Sequence, residues 1–163
     1  MEIWDAYDGN FHKVPGMPLV RGEPIPEGCF HLVCEIIVRH ENGTYLLMQR
    51  DKKKHFGGMW EASAGGSALQ GETPLECAVR ELREETGILS DHLTEIGRVL
   101  HREHKTIYVE YLCHTNTDKN HVVLQEGETS AFRWVSLQEL RHMPRNELVT
   151  HRIQCFVEEL CEP

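Results

Sequence analysis

Residues 66–88 read GSALQGETPLECAVRELREETGI, and this stretch decides the fold because it predicts a turn followed by one capped helix. Thr73 suits the N-cap, Pro74 suits the first helical position, and Glu76 stands where the second residue of a capping box belongs. Gly87 suits the left-handed residue that often ends a helix. The sequence therefore predicts one helix between this cap and this glycine.

The predicted helix presents two different faces. Apolar residues recur at the spacing of a packed helix face, which predicts contact with a sheet through Leu75, Ala78, Val79 and Leu82. At about 100° per residue, Glu81, Glu84 and Glu85 share a neighbouring face, where they repel one another unless a cation lies among them. Such oxygen ligands suit Mg²⁺ or Mn²⁺. An ordinary solvated acidic face is the alternative, although Glu72 and the Gly65–Gly66 backbone favour a ligand site.

The same residues resemble the Nudix box, because Gly66, Glu72 and the run RELREETGI at 80–88 match its specified positions and spacing. The resemblance implies a Nudix α/β/α sandwich with a mixed β-sheet, as a single domain over residues 1–163. It implies a hydrolase that uses Mg²⁺ or Mn²⁺ to cleave a nucleoside diphosphate linked to another moiety. The expected partner is a small-molecule diphosphate, and a homodimer stays open because many relatives dimerise.

The resemblance also implies roles for residues of the box. Glu84 and Glu85 would be metal ligands, and Glu81 would be a ligand or the general base. Arg80 would orient a glutamate by ion pairing. Gly65 or Gly66 would offer a backbone carbonyl to the metal.

Outside the box, the resemblance suggests further candidates. Family members often bring an acid from a late loop, for which Glu128 is the first candidate and Glu126 the second, with plain loop carboxylates as the alternative. Arg50 ends a predicted strand where the family often has a substrate-binding arginine, although a surface charge is equally compatible. Lys54 belongs to the basic run Lys52–His55, which could steer phosphates or be a solvated loop.

A rival function comes from the branch of the family related to isopentenyl-diphosphate isomerase. The segments EIWDAYD, RGEPIPEG and WEASAGG resemble that branch. Its catalytic cysteine and metal-binding histidine align with Gly65 and Ser67, and His31 falls near another of its metal-binding histidines. Because the thiol is missing, proton transfer lacks its expected partner and a hydrolase is favoured. A non-catalytic diphosphate or nucleotide sensor is the third alternative, against which the complete box argues.

Composition limits the remaining choices. A net charge of −9 over 163 residues argues against nucleic-acid or anionic-membrane partners. No run approaches the roughly 18 apolar residues of a membrane span, and no signal peptide opens the sequence, so we expect a cytoplasmic protein. Reduced cysteines fit that location, and four of the six are expected in the core: Cys34, Cys77, Cys113 and Cys155.

The flanking segments predict the rest of the fold. Residues 1–29 predict a hairpin that turns at Asp8–Asn10, followed by an ordered or semi-extended connection over 15–29. Strands are predicted at 30–39, after the turn at 41–43, before the box, and twice after it. A last helix should pack through Val149, Ile153, Phe156, Val157 and Leu160. Four histidines match no compact zinc spacing and are taken as strand-edge or loop residues: His101, His104, His114 and His121.

Overall fold

The computed structural model describes residues 1–161, with the side chains of residues 156, 157 and 159–161 outside the description. In chain order its elements are β1 (Ile3–Tyr7), β2 (Lys13–Val20), β3 (His31–His40), β4 (Tyr45–Arg50), β5 (Trp60–Glu61), β6 (Ala64–Ser67), α1 (Pro74–Thr86), β7 (Leu93–His101), β8 (Thr106–Thr115), β9 (Thr129–Val135), α2 (Leu137–His142), a 3₁₀ turn (Arg145–Glu147) and α3 (Arg152–Cys161).

A mixed sheet of seven strands forms the centre of the fold. Its main path is β5-β4-β3-β8-β7, while β6 pairs with β3 and β9 pairs with β4. The long central strands β3 and β8 are parallel, and their neighbours pair with them antiparallel. Strand β3 therefore pairs with three strands, β4, β6 and β8. Of these, β6 leads directly into the box loop.

Helices cover both faces of this sheet. Successive residues of β3 point to opposite faces, so Leu32, Cys34 and Ile36 lie in one apolar core with α1, while Ile37 lies in a second core. The second core includes Leu140 of α2 and Ile153 of α3. The α/β/α sandwich with a mixed sheet is thereby confirmed, whereas the bounds of the single domain stay a prediction. Within the predicted stripe of the last helix, Phe156, Val157 and Leu160 lie outside the described residues.

Helix α1 has the predicted ends but a different buried face. The Thr73 hydroxyl accepts a hydrogen bond from the Glu76 N–H at 3.2 Å, and Gly87 is left-handed with φ 74°. The prediction that Leu75 packs on the sheet is wrong, since 41% of its surface is exposed. Ala78 and Leu82 are buried as predicted, and Cys77 and Thr86 are buried with them. Small side chains at 77 and 78 bring this side of the helix close to the sheet, which turns Leu75 toward solvent.

The N-terminal hairpin is present and longer than predicted. Strands β1 and β2 pair antiparallel, and β2 continues to Val20 through two prolines of the segment predicted as an ordered or semi-extended connection. A two-stranded ribbon has two free edges, where a proline without an N–H group removes no ladder bond. Two backbone hydrogen bonds of 2.9 Å between Tyr7 and Phe30 join the hairpin to the strand that follows.

The structure also bears on the predictions about buried cysteines and about membrane-spanning segments. Cys34, Cys77 and Cys113 are buried as predicted, but Cys155 is exposed because its position in α3 faces away from the sheet core. Across the described residues, no helix combines the length and apolar character that crossing a membrane requires.

Candidate active site

One large cleft, of about 950 Å³, gathers the predicted site residues. Its walls come from the box loop and α1, the loop after β4, the loop before β9, the N-terminal hairpin and the start of α3. The predicted residues that line it are Arg50, Lys54, Gly65, Gly66, Arg80, Glu81, Glu84, Glu85 and Glu128. Glu126, the second candidate of the late loop, is exposed and is absent from that lining.

Glu85 is the most deeply placed of the three box carboxylates. Its Oε2 accepts a hydrogen bond from the Gly65 N–H at 2.9 Å. Burial raises the pKa of Glu85 to about 8, although the bond from Gly65 acts in the opposite direction. A carboxylate with so little hydration is stabilised as an anion by a cation placed beside it.

Glu81 lies against the second glycine. A Cβ atom added to Gly66 would lie 2.2 Å from Glu81 Oε1, so any larger residue there would collide with the carboxylate. At Gly65 the added atom would lie 2.9 Å from the carbonyl oxygen of Cys34. Gly65 is therefore required by the close approach of the β3 backbone, whereas a side chain at position 66 would displace the flexible end of Glu81. Because neither position has a side chain, the box carboxylates lie against the backbone of β6. Burial raises the pKa of Glu81, and Arg80 opposes the increase.

Arg80 orders the acids around it. Its Nε donates to Glu72 Oε1 at 2.7 Å, and its Nη2 donates to the other Glu72 oxygen at 2.9 Å. Its Nη1 donates to Glu81 at 2.6 Å and to Glu84 at 3.3 Å. The hydrogen bonds from Arg80 hold the pKa of Glu72 below its usual value. One guanidinium thus connects three glutamates, in the geometry that the ion-pairing role of Arg80 needs.

The two predicted phosphate-binding cations each have a carboxylate partner. Arg50 Nη1 donates to Glu61 Oε2 at 2.8 Å, and both side chains are largely buried. Lys54 pairs with Glu128 across the cleft, which joins the loop after β4 to the loop before β9. Arg50 is therefore not a surface charge. Of the three lysines in the basic run, Lys54 alone lines the cleft, while Lys52 and Lys53 are exposed.

Glu35, Glu61 and Arg152 are among the lining residues that the sequence did not indicate as part of the site. Burial raises the pKa of Glu61, against the effect of Arg50. The sequence held one signal for Glu61, which follows Trp60 at the end of a short strand upstream of Gly65–Gly66. Arg152 Nη2 donates to Glu35 Oε1 at 2.5 Å across 117 residues of sequence, a contact for which the sequence offered no local pattern.

The oxygen atoms grouped around the box glycines are of the kind that bind a hard divalent cation. Glu81 and Glu85 supply carboxylate oxygens beside the Gly65–Gly66 backbone, and buried Glu85 gains most from an added positive charge. In residues 1–161 as described, no three His, Cys, Asp or Glu side chains form a closed metal-binding group, and Glu84 turns toward Arg80. The histidines form no such group either, although the rings of His101 and His104 stack 4.1 Å apart.

Comparison with known proteins places this geometry in context. A sequence model of the NUDIX domain matches residues 30–154. A Nudix hydrolase of Listeria monocytogenes serovar 1/2a is 31% identical over 141 residues, which cover 86% of this chain and 83% of that protein. A crystal structure of a Deinococcus radiodurans protein superposes with a TM-score of 0.77 at 18% identity, covering 99% of this chain and 100% of the other, which shows a shared fold.

The isomerase branch finds weaker support. An isopentenyl-diphosphate Delta-isomerase of Corynebacterium diphtheriae is 37% identical over 71 residues, which cover 43% of this chain and 39% of the isomerase. At the position aligned with the isomerase cysteine, the N–H of Gly65 bonds to Glu85 and no side chain can act as an acid.

Proposed function

The chain belongs to the Nudix hydrolase family, and from that premise we propose that it is a metal-dependent pyrophosphohydrolase acting on a nucleoside diphosphate derivative. The observation that carries the proposal is the approach of Glu81 and Glu85 to the Gly65–Gly66 backbone inside the cleft. Two further carboxylates of the cleft lining, Glu61 and Glu128, form ion pairs with the two predicted phosphate-binding cations.

Glu81, Glu84 and Glu85 hold the cation in this proposal, together with the carbonyl of Gly65 or Gly66. Bound there, Mg²⁺ or Mn²⁺ would neutralise charge on the phosphate oxygens and lower the pKa of water. Arg80 keeps Glu81 against Gly66, so that the carboxylate is already oriented when substrate arrives.

Arg50 and Lys54 bind the phosphates in this proposal. Their carboxylate partners keep both cations in the cleft, and a phosphate oxygen competes with Glu61 or Glu128 for the same N–H groups. Glu128, once its lysine bonds to phosphate, becomes available to accept a proton from the attacking water or to bind the cation. Water then attacks one phosphorus of the bridge, and the other phosphate leaves with the bridging oxygen.

The test is a phosphate-release assay that also separates the phosphorylated products by chromatography, because cleavage of a bridge between two moieties releases no free phosphate. It is run with Mg²⁺ and with Mn²⁺ over nucleoside diphosphate derivatives, triphosphates, dinucleotides and isopentenyl diphosphate, each with a chelator control. We expect metal-dependent cleavage of one class. The Glu85→Gln variant should lose at least about 99% of that turnover, because the neutral amide keeps the bond to Gly65 in shape but removes the charge.

The matched control is Glu41→Gln, which removes the same charge at an exposed turn outside the cleft. Its turnover should equal that of the unaltered protein. Unchanged turnover in Glu85→Gln, with circular dichroism of a folded protein, would contradict the metal-site assignment. Isomerised isopentenyl diphosphate, with no cleavage in the other wells, would move the function to the rival branch.

A further inference from the structure

The box loop, residues 68–73, is built around one tight turn. The N–H of Glu72 donates to the carbonyl of Leu69 at 3.0 Å, which makes Gln70 and Gly71 the two central residues of the turn. Gly71 has φ 88°, a left-handed backbone that glycine adopts without steric cost at this position of a turn. The turn therefore decides where Glu72, the first acid of the box, is placed.

Both central N–H groups of this turn donate to the N-terminal hairpin. The N–H of Gln70 donates to the carbonyl of Ile3 at 2.9 Å, and the N–H of Gly71 donates to Asp5 Oδ2 at 2.8 Å. The hairpin precedes residues 30–154, which match the NUDIX domain. This restraint on the box loop therefore comes from outside the part of the chain that matches the domain.

Asp5 is a charged acceptor that is held on two sides. Its Oδ2 also accepts a hydrogen bond from Lys13 Nζ of β2 at 2.6 Å. Burial acts to raise the pKa of Asp5, but the bonds from Lys13 and Gly71 outweigh it, and the pKa is lowered. An ionised carboxylate forms stronger hydrogen bonds to N–H groups than a neutral acceptor does. The contact with Gly71 is therefore charge-assisted, and it resists displacement of the turn.

From the turn, a chain of hydrogen bonds leads to Glu81. Glu72 Oε2 accepts from the N–H of Leu69 at 2.8 Å, and both Glu72 oxygens accept from Arg80. Arg80 in turn donates to Glu81 Oε1 at 2.6 Å. A shift of the turn would move Glu72 and, with it, the guanidinium that keeps Glu81 against Gly66.

From these contacts we propose that Asp5 is a positioning residue that fixes, through Gly71, the turn carrying Glu72. The position of Glu72 then sets the orientation of Arg80 and of Glu81 toward the cation. The inference rests on the proposed function, in which Glu81 is one of the metal ligands. Asp5 itself lies outside the cleft lining formed by the described residues, so it acts through its neighbours and not on the substrate.

Binding of Mn²⁺ to the substrate-free protein tests this role without any hydrolysis. Free Mn²⁺ is measured by electron paramagnetic resonance while the full chain is titrated with the metal. Asp5→Ala removes the acceptor of the Gly71 N–H and should raise the Kd for Mn²⁺ about tenfold, the lower end of the range for groups that orient metal ligands. Asp5→Asn should keep the Kd near that of the unaltered protein, because its amide oxygen still accepts from Gly71.

The matched control is Asp8→Ala, which removes the same charge from the same hairpin. Asp8 accepts hydrogen bonds from the N–H groups of Asn10 and His12 at the hairpin turn, and these bonds do not involve the box loop. The control should leave the Kd for Mn²⁺ unchanged, so it separates a weaker hairpin from a lost contact with Gly71. Urea unfolding checks that each variant is folded. If Asp5→Ala is not, Asp5→Ser gives the same comparison with Asp5→Asn, because its hydroxyl is one bond too short to replace the carboxylate oxygen.

Steady-state kinetics on the cleaved nucleoside diphosphate derivative provide the second readout. At a Mn²⁺ concentration near the Kd of the unaltered protein, Asp5→Ala should lower kcat about fivefold, because metal occupancy falls from about one half to about one tenth. The KM for the substrate should not change, since Asp5 does not line the cleft. Excess Mn²⁺ should recover most of the lost kcat, which a variant impaired by misfolding would not show.

The outcomes separate this proposal from the proposed function. Equal Kd values for Mn²⁺ in Asp5→Ala, Asp8→Ala and the unaltered protein would overturn the role of Asp5 and leave the hydrolase in place. A loss in Asp5→Asn equal to that in Asp5→Ala would overturn the role of the bond to Gly71. Weaker Mn²⁺ binding in Asp5→Ala alone, in a protein that cleaves no diphosphate, would keep the positioning role and overturn the proposed hydrolysis. An unaltered protein that binds no Mn²⁺ would overturn both.

Discussion

Two arginines beside the cleft, Arg80 and Arg152, each hold glutamates, but their partners lie at very different distances along the chain. Arg80 bonds to Glu72 and Glu81, eight residues and one residue away. Arg152 bonds to Glu35, 117 residues away, and also lies 3.3 Å from Glu110. The Arg80 group forms within one helix and its loop, whereas the Arg152 group exists only after α3 has packed on the sheet.

The two groups also differ in how far water reaches them. In the Arg80 group, the Glu84 side chain is 40% exposed, while in the Arg152 group the Glu110 side chain is 2% exposed. Burial acts to lower the pKa of Arg152, yet Glu35 outweighs it and the pKa is raised. Loss of Arg80 should therefore disturb mainly the orientation of acids, and loss of Arg152 should leave buried charge that destabilises the fold.

The largest expected effect is on activity, from Arg80→Met. Without the guanidinium, Glu72, Glu81 and Glu84 repel one another, and Glu81 loses the bond that keeps it against Gly66. Displacement of a catalytic group by about 1 Å can cost about 100-fold, so kcat/KM should fall by roughly that factor. The measurement is steady-state hydrolysis of the substrate found in the phosphate-release assay.

Arg83→Met removes the same charge from the same helix at an exposed position and serves as the control. It should keep kcat/KM within about twofold, since surface pairs contribute little. An equal fall in kcat/KM in both variants would contradict the orienting role of Arg80 and would leave only its contribution to net charge.

Arg152→Met is expected to lower stability more than it lowers activity. It leaves Glu110 and Glu35 without this cation, and it removes the guanidinium that stacks 3.8 Å from the centre of the Tyr108 ring. Because the group is partly buried, the free energy of unfolding should fall by about 2 kcal/mol. Urea unfolding followed by circular dichroism measures this change.

Arg145→Met, at an exposed position of the 3₁₀ turn, is the matched control and should change the free energy of unfolding by less than about 0.5 kcal/mol. Adding Glu35→Gln to Arg152→Met should restore part of the loss, because one uncompensated charge is removed. A double variant less stable than the single one would show that Glu35 has another cation partner.

The same contrast explains what the sequence could predict about the fold. The capping box of α1, its final glycine and the strand predicted at 30–39 are local patterns, and each prediction is confirmed. The outward position of Leu75 depends on how closely Cys77 and Ala78 approach the sheet, which no window of one helix contains. The extension of β2 through its prolines depends likewise on having free edges in a two-stranded ribbon.

For the candidate site, contacts between residues close together in the sequence could be predicted, and contacts between distant residues could not. Residues of the box could be grouped because they share one helix and one loop. Arg50, Lys54 and Glu128 were candidates singly, but the ion pair of Arg50 joins two strands and that of Lys54 with Glu128 joins two loops. Glu35 and Arg152 were missed because their pairing needs the packed position of α3. The catalytic and binding roles of these residues stay predictions.

The smallest expected effect is the pH dependence of stability that arises from His31, a third residue to compare with Arg80 and Arg152. It lies on β3 with Glu35, but burial lowers its pKa to about 4, and Glu2 opposes this only weakly. Since the unfolded pKa is about 6.5, the unfolded chain binds a proton first as pH falls from about 6.5 toward 4, and stability decreases over that window. Between pH 7 and pH 5 the loss that arises from His31 alone should be about 1 kcal/mol, after allowance for the exposed part of the ring. Glu85, whose pKa is raised to about 8, acts in the opposite direction, so the effect of His31 is measured as a difference between the unaltered protein and a variant.

The measurement is the free energy of unfolding in urea at pH 7 and pH 5, for the unaltered protein and for His31→Gln. Glutamine keeps a polar group near the Thr106 hydroxyl, to which His31 Nε2 lies 2.8 Å away, but it cannot titrate. The variant should therefore lose about 1 kcal/mol less than the unaltered protein between the two pH values. Parallel losses would mean that His31 finds an opposite charge when protonated, as Arg80 and Arg152 do, and that the hairpin does not keep this imidazole neutral.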